Sequence, residues 1–80
     1  MELVIISPEG VLLKETADRI TLPGSMGAFS ILKNHAPLVS TIEKGEIIYM
    51  QNKKEKKFNI EKGITIVEKN VVQVITENTG

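Results

Sequence analysis

The apolar residues of this chain fall into short runs rich in isoleucine and valine, and glycine, proline, asparagine or charged residues separate the runs. Runs of this length and composition are typical of β-strands. Several alternate polar and apolar positions, as residues 19–22 do, which is the period of a strand with one buried face. The pattern predicts strands at residues 3–6, 11–15, 19–22, 28–31, 38–42, 46–50, 57–60, 64–68 and 71–76.

Some of the predicted strands carry apolar side chains on both faces, namely residues 4–6, 46–50 and 71–75. Strands of this kind are covered on both sides. We therefore expect one of their faces to meet the core and the other to meet a partner protein. No window keeps apolar residues at three- and four-residue spacing for three turns, so no amphipathic helix is predicted. The prediction is an all-β fold, an antiparallel two-sheet β-sandwich or flattened barrel of about nine to ten short strands.

Two kinds of turn are recognisable between the predicted strands. Pro8, Glu9 and Gly10 place a residue of fixed φ and then a glycine between two strands, which predicts a hairpin. The tetrapeptide Ile-Glu-Lys-Gly occurs at residues 42–45 and again at residues 60–63, each time between predicted strands. We expect Gly45 and Gly63 to adopt positive φ in two similar turns.

The composition predicts one small soluble domain that occupies residues 1–80. Of the 80 residues 41% are hydrophobic, and the absence of cysteine excludes disulfides and thiolate chemistry. No apolar stretch approaches the roughly 20 residues of a membrane span, and no secretory signal is recognisable, so an intracellular protein is expected. The formal net charge is zero, which gives no overall attraction to nucleic acid or to an acidic membrane.

Candidate catalytic and ligand-binding residues are few. His35 is the only histidine, and no nucleophile motif accompanies it, so a structural or interface role is favoured over catalysis or metal binding. The glycine-rich residues 24–27 lack the Gly-Lys-Ser/Thr sequence of a phosphate loop, and a strand is predicted to follow them. A turn that lets a partner approach the backbone closely is favoured there. Because the carboxylates are scattered, no enzyme, cofactor or metal is predicted.

The densest charge run is Lys53-Lys54-Glu55-Lys56-Lys57. It predicts a solvated hairpin tip whose lysines discourage edge-to-edge aggregation. Basic loops also bind single-stranded nucleic acid, but the aromatic residues that such sites use for stacking are scarce here. A small β-barrel module that binds nucleic acid or a small ligand is therefore the alternative function.

Residues 22–49 carry a specific motif, which consists of a Gly-x-x-Gly loop, a short predicted strand, the sequence Asn-His-Ala-Pro-Leu and an x-x-Gly turn. In this order and spacing the motif resembles the signature segment of epsilon subunits of F-type ATP synthases. The opening hairpin at residues 3–13 and the closing strands at residues 60–74 are similar too. The resemblance therefore extends over nearly the whole chain and implies the N-terminal β-sandwich of that family.

The resemblance implies a non-catalytic rotor subunit that links the gamma subunit to the membrane c-ring in proton-coupled ATP synthesis, without a cofactor. It implies a peripheral position on the cytoplasmic face of the bacterial inner membrane, held only through the complex, and no nucleic acid partner. The residues implied for the c-ring side are Gly24, Ser25, Met26, Gly27, Ala28 and Phe29. The residues implied for the gamma side are Ser7, His35 and Ser40.

The sequence departs from the family pattern at two places. Ala28 stands where many relatives have an acidic residue, so the c-ring contact here is expected to depend on Met26, Phe29 and backbone groups. The chain stops at Gly80, whereas many relatives continue into a helical hairpin that restrains ATP hydrolysis. We therefore expect a short form without the inhibitory arm, whose deletion loosens coupling without activating hydrolysis.

Overall fold

The computed structural model describes residues 1–77, in which all regular secondary structure is β-strand. The strands are β1 (Glu2–Ser7), β2 (Gly10–Thr16), β3 (Arg19–Leu22), β4 (Phe29–Leu32), β5 (Leu38–Ile42), β6 (Gly45–Gln51), β7 (Lys54–Ile60), β8 (Gly63–Glu68) and β9 (Val71–Thr76). The predicted all-β fold is confirmed, and every predicted strand overlaps an observed one. Within residues 1–77 there is no helix with the length and apolar character needed to cross a membrane.

The strands form two sheets that pack as a sandwich. One sheet has five strands in the order β2-β1-β9-β8-β5, and the other has four in the order β4-β3-β6-β7. The β1–β9 pair is parallel, whereas the other pairs of named strands are antiparallel, so the sheets are not purely antiparallel as predicted. A parallel pair needs a long crossover, and here all the strands between β1 and β9 supply it.

The inward faces of both sheets form an aliphatic core. Strand alternation buries Leu3 and Ile5 of β1 while Val4 and Ile6 point to the other face. The buried hydrophobic residues are Leu3, Ile5, Ala17, Ile20, Leu22, Ile31, Ile42, Ile47, Tyr49, Ile60, Val67, Val72 and Val74. Each fully buried Leu, Ile or Val side chain contributes about 1.5–3 kcal/mol, so this core is a firm support for the surface residues.

Neither copy of the Ile-Glu-Lys-Gly sequence uses positive φ, so that prediction was wrong. The glycines with positive φ are Gly10, at 127°, and Gly27, at 121°. At Gly63 a Cβ atom would overlap the carbonyl oxygen of Ile75, and at Gly45 it would press on a proline ring. Close approach by a neighbouring part of the chain, rather than a special φ, explains why glycine occupies both positions.

The lysine-rich run lies mostly on an edge strand, so the predicted hairpin tip is correct only for its first residue. Asn52 and Lys53 form the turn, with φ of 51° and 64°, and β7 begins at Lys54. β7 is the outer strand of the four-stranded sheet, and residues 54–57 are exposed. The charges remain solvated there, and they protect the edge from pairing with another chain.

The loops at the two ends of the sandwich carry different residues. One end, the glycine end, has the β1–β2 turn, residues 23–28 and the turns that follow β5 and β7. The other end, the asparagine end, has residues 17–18, 33–37, 52–53 and 69–70. Residues that are distant in the sequence therefore meet at each end.

Candidate interaction surfaces

Residues 24–28, the glycine loop, connect β3 to β4 at the glycine end. The Gly27 N–H donates to the Gly24 carbonyl oxygen at 3.0 Å, which closes a four-residue turn. A Cβ atom on Gly24 would lie 2.6 Å from the Gly27 carbonyl oxygen and 2.7 Å from the Phe29 ring. Met26, at the tip, is fully exposed. The glycines therefore permit a tight loop that presents an uncovered methionine side chain.

The glycine loop is fastened to the end of β5. Ser25 Oγ lies 2.8 Å from Thr41 Oγ1, and the Ser25 hydroxyl donates to Glu43 Oε2 at 2.9 Å. The Ser25 N–H donates to the Thr41 carbonyl oxygen at 3.4 Å, and the Glu43 N–H donates to the Pro23 carbonyl oxygen at 2.7 Å. These bonds fix the position of the loop relative to the five-stranded sheet.

The six residues predicted for the c-ring side differ in exposure. Met26, Gly27 and Ala28 are exposed, whereas Gly24 and Phe29 are partly buried. The Phe29 side chain packs against the core. The exposed part of the loop is therefore its tip, and the remaining predicted residues support that tip.

The three residues predicted for the gamma side do not form one patch. Ser7 is buried at the glycine end, where its Oγ accepts the Glu9 N–H at 3.2 Å and the hydroxyl donates to the Gly10 carbonyl oxygen at 3.4 Å. These bonds shape the predicted β1–β2 hairpin turn. Ser40 is half-buried in the middle of β5, and His35 is exposed at the asparagine end. The predicted residues are thus spread from one end of the sandwich to the other.

A pair of asparagines holds the turn that presents His35. The Asn34 N–H donates to Asn70 Oδ1 at 2.7 Å, and the Asn70 side-chain amide donates to Asn34 Oδ1 at 3.1 Å. Their φ values are 64° and 62°, in the left-handed region that asparagine tolerates. His35 Nδ1 lies 2.7 Å from the Ala36 carbonyl oxygen, and the His35 N–H donates to the Leu32 carbonyl oxygen at 3.1 Å. The turn is thereby tied to the β8–β9 hairpin.

The outer face of the five-stranded sheet is strongly apolar. One row of side chains crosses it through Thr41, Ile64, Ile75, Ile6 and Val11. The next row contains Val39, Ile66, Gln73, Val4 and Lys14. Within residues 1–77 seven large hydrophobic side chains are exposed, and five of them lie on this surface, the outer apolar face: Val11, Val39, Ile64, Val71 and Ile75.

The outer face of the four-stranded sheet is more polar. Its rows place Leu32, Met50 and Ile48 beside Arg19, Thr21, Ser30, Glu55 and Lys57. A soluble monomer rarely exposes a large contiguous apolar patch, and such patches usually mark interfaces. The outer apolar face is therefore the better candidate for a protein interface, although none of the residues predicted for a partner lies on it.

An apolar groove of about 640 Å³ lies where the glycine loop meets the outer apolar face. Ile42, Ile64 and Ile75 are among its lining residues. Ser7 and Ser25 line it as well, so the groove brings together one residue predicted for each partner side. Sequence reasoning had assigned these two residues to different partners, and the structure makes them neighbours of one surface.

The titratable groups give no sign of a catalytic centre in the part of the chain that the structure describes. Residues 1–77 contain no group of three or more His, Cys, Asp or Glu side chains that could hold a metal ion. Burial raises the pKa of Tyr49 above its ordinary value, and the Glu15 carboxylate raises it further. Tyr49 belongs to the core, so its raised pKa bears on stability.

Comparison with known families identifies the fold. A family model of the ATP synthase delta/epsilon chain β-sandwich domain matches residues 1–79. This chain belongs to that family. The match covers nearly the whole chain and agrees with the observed two-sheet sandwich.

Curated relatives of this delta/epsilon-type domain are similar over most of its length. The ATP synthase epsilon chain of Desulfitobacterium hafniense (strain DSM 10664 / DCB-2) is 44% identical over 73 residues, which are 91% of this chain and 55% of the relative. The epsilon chain of Leptospira borgpetersenii serovar Hardjo-bovis is 40% identical over 74 residues, which are 92% and 58%. The chain therefore spans just over half the length of these relatives.

Solved structures contain the same fold. A chain of the Euglena gracilis mitochondrial ATP synthase, in an OSCP/F1/c-ring structure, has a TM-score of 0.87 at 22% identity and covers 98% of this chain and 51% of its own. A chain of the Tetrahymena thermophila mitochondrial ATP synthase central stalk and c-ring has a TM-score of 0.78 at 16% identity, with coverages of 98% and 63%. At these identities the likeness establishes the fold of this delta/epsilon-type domain.

Proposed function

We propose that this chain is a central-stalk subunit of an F-type ATP synthase that links a gamma-type subunit to the membrane c-ring. It acts as a non-catalytic rotor adapter in proton-coupled ATP synthesis, and the proposal concerns the sandwich domain. Family membership supports this role, as does the central-stalk setting of the Tetrahymena structure. The outer apolar face supports it most directly.

The outer apolar face suits a permanent contact with a folded protein. Permanent interfaces are more hydrophobic than transient ones and resemble a domain core cut in half. The face presents rows of β-branched side chains on a sheet whose other side is the core, so little side-chain freedom is lost on binding. A broad, flat and firmly supported surface of this kind is the one we assign to the gamma-type subunit.

The glycine loop is the part that we assign to the c-ring. It is narrow and protrudes from one end of the sandwich, so it suits contact with the exposed loops of a ring. Ala28 and Met26 give its tip no charge, and an exposed ion pair would contribute little there in any case. The unbranched methionine side chain adapts to an irregular surface, so Met26 and the loop backbone provide the contact.

The residues predicted for the gamma side fit this assignment in different ways. Ser40 lies on β5, which forms one border of the outer apolar face, and His35 precedes that strand. Both remain predictions for direct contact with the gamma-type subunit. Ser7 is buried, so we propose that it acts by shaping the β1–β2 turn.

The parent complex is proposed to lie at the cytoplasmic face of a bacterial inner membrane. The relatives from Desulfitobacterium and Leptospira support a bacterial setting. The domain then associates with the membrane peripherally, and only through the c-ring.

A binding assay with point variants tests the proposal. The full chain is immobilised and offered the gamma subunit or the detergent-solubilised c-ring of the same organism. Val11→Glu is expected to lower the affinity for the gamma subunit at least about tenfold, because an unpaired carboxylate is costly to bury at an interface. Leu32→Glu is the matched control on the other sheet, since Leu32 is 57% exposed and Val11 is 63% exposed. It is expected to bind like the wild type.

The same assay separates the two partners. Met26→Glu is expected to weaken binding to the c-ring and to leave binding to the gamma subunit unchanged. A wild-type chain that captures neither partner would refute the proposed function. Equal losses of gamma binding in Val11→Glu and Leu32→Glu would show that the outer apolar face is not the gamma site.

A further inference from the structure

The outer strand of the five-stranded sheet, β5, has backbone groups that face no neighbouring strand. The Thr41 carbonyl oxygen is directed away from β8, because it accepts the Ser25 N–H of the glycine loop. Backbone groups alternate in direction along a strand, so Val39 shares the direction of Thr41 whereas Ser40 is directed at β8. On the outer side of β5 the Val39 N–H, the Val39 carbonyl oxygen and the Thr41 N–H therefore face no strand within residues 1–77.

The other sheet edges have protection that β5 lacks. β7 carries charged side chains at residues 54–57. β2 carries Lys14 and Glu15, and its pairing with β1 is interrupted by a bulge. β4 has only four residues, and its last carbonyl oxygen, that of Leu32, accepts the His35 N–H. The sequence of β5, Leu-Val-Ser-Thr-Ile, contains no charge, and an uncharged edge is a template for pairing with another chain.

We propose that β5 receives an extended segment of the gamma-type subunit as a sixth strand of the five-stranded sheet. The segment pairs with the Val39 N–H, the Val39 carbonyl oxygen and the Thr41 N–H. Main-chain bonds of this kind give affinity, and alternate side chains give specificity. This inference rests on the proposed function, because it specifies how the gamma-type subunit is held.

The position of Val39 is the reason for choosing this occupant. Its side chain is 70% exposed and lies both on the free edge and in a row of the outer apolar face. A segment paired with β5 extends that row, so the same partner covers the edge and the face together. Pairing with β5 of a second copy would satisfy the edge but would leave both outer apolar faces in water.

The test compares two substitutions at one position. Val39→Pro removes the outward N–H, and proline is tolerated on an edge strand where that N–H faces solvent. Val39→Ala also shortens the side chain but keeps the N–H. We expect Val39→Pro to bind the gamma subunit at least about tenfold more weakly than Val39→Ala, and Val39→Ala to bind within about fivefold of the wild type.

Two further measurements secure the interpretation. Ser40→Pro removes an N–H directed at β8 and is expected to lower the unfolding midpoint clearly, whereas Val39→Pro and Val39→Ala have similar midpoints. Amide hydrogen exchange on the wild-type chain needs no variant to fold. The Val39 and Thr41 amides are expected to exchange at least about a hundredfold more slowly in the gamma complex than in the free chain.

The results distinguish this inference from the proposed function. If Val39→Pro binds like Val39→Ala and exchange at Val39 is unchanged, strand addition is refuted, while a loss in Val11→Glu still supports the gamma contact. If the isolated chain forms a dimer that Val39→Pro dissociates, and gamma binding is unaffected, the occupant is a second copy and the inference is again overturned.

Discussion

Two glycines of this chain end the same tetrapeptide, Ile-Glu-Lys-Gly, yet the structure surrounds them differently. Gly63 begins β8 and is paired with Thr76 of β9 and Ile42 of β5. Gly45 begins β6 and faces Pro23. Neither has positive φ, so an alanine is not strained by backbone conformation at either position. We predict that Gly63→Ala is strongly destabilising and that Gly45→Ala is nearly neutral.

The magnitude for Gly63→Ala follows from what must move. The new methyl group would overlap the Ile75 carbonyl oxygen and lie 3.0 Å from the Thr76 Cα, both backbone atoms of β9. Separating the strands disturbs three hydrogen bonds at this end, namely Glu77 N–H to the Lys62 carbonyl oxygen at 3.5 Å, and Thr76 Oγ1 to the carbonyl oxygens of Lys62 and Glu61 at 3.4 and 3.2 Å. At about 1 kcal/mol each, their loss costs about 3 kcal/mol.

The same reasoning gives a small effect at Gly45. A Cβ atom there would lie 3.2 Å from the Pro23 Cβ, and a shift of a few tenths of an ångström in the ring relieves the contact. Replacing glycine by alanine also reduces the freedom of the unfolded chain, which stabilises the fold by about 0.4–1 kcal/mol. The free energy of unfolding of Gly45→Ala is therefore expected to lie within about 1 kcal/mol of the wild type.

Guanidinium unfolding followed by circular dichroism measures both changes. For a small domain the dependence of the unfolding free energy on guanidinium is about 2–4 kcal/mol per molar. Gly63→Ala is thus expected to lower the midpoint by roughly 1 M, and Gly45→Ala to change it by less than about 0.5 M. Equal losses in the two variants would refute the reasoning, because they would point to a requirement that the two turns share.

Three further outcomes are expected from single substitutions. Tyr49→Phe keeps more of its stability in alkaline solution, because the wild type holds the phenol proton more tightly when folded; that contribution is complete below the unfolded pKa and is lost as the pH rises through the raised folded pKa. Unfolding at about pH 8 and about pH 10.5 measures the difference. Asn70→Gly retains the left-handed φ but loses the bonds to Asn34, so the unfolding free energy falls by about 1–2 kcal/mol and amide exchange in residues 33–36 accelerates. Gly24→Ala displaces the glycine loop and weakens c-ring capture at least about fivefold, measured in the binding assay, with gamma capture unchanged.

Each of these outcomes has a control. Tyr49→Phe and the wild type contain the same lysines, so the lysine titration cancels in their difference; parallel alkaline losses would argue against the role of the phenol. Asn52→Gly also retains a positive φ, at a turn without the asparagine pair, and an equal loss there would contradict the pairing argument. Gly27→Ala changes the loop through φ instead of space, and a loss in Gly27→Ala without one in Gly24→Ala would overturn the packing argument.

Most of the fold was predictable because strand signals are local. Alternation and β-branched residues located the nine strands, and the largest boundary error fell on β7, predicted at residues 57–60 and observed at Lys54–Ile60. The charged run has the composition of a turn, but on an edge strand its side chains stay in water while the backbone pairs with β6. The glycines at positions 45 and 63 were misjudged for a related reason, since a sequence does not distinguish a glycine needed for φ from one needed for space.

The candidate surfaces were less predictable because they depend on strand order. The apolar positions of β1 and β9 were evident on both strand faces, but their pairing joins the two ends of the chain. Only that parallel pair brings Val11 of β2 into one row with Ile64 of β8. The glycine loop, by contrast, has a local motif, and its exposed tip lies within the residues predicted for it. What the motif did not reveal is the anchor formed by Thr41.

Under the proposed function β5 is the element through which a load on the glycine loop reaches the gamma-type subunit. Thr41 holds the loop through Ser25, and Val39, two residues earlier, lies on the outer apolar face, about 7 Å away along the strand. Between them Ser40 pairs with the buried Thr65 of β8. A hydrogen-bonded strand cannot lengthen unless its ladder breaks, so the spacing of the two contacts stays fixed as the rotor turns. Torque then passes through the domain without a hinge, and substitutions that loosen the β5–β8 pair would reduce coupling before they reduce binding.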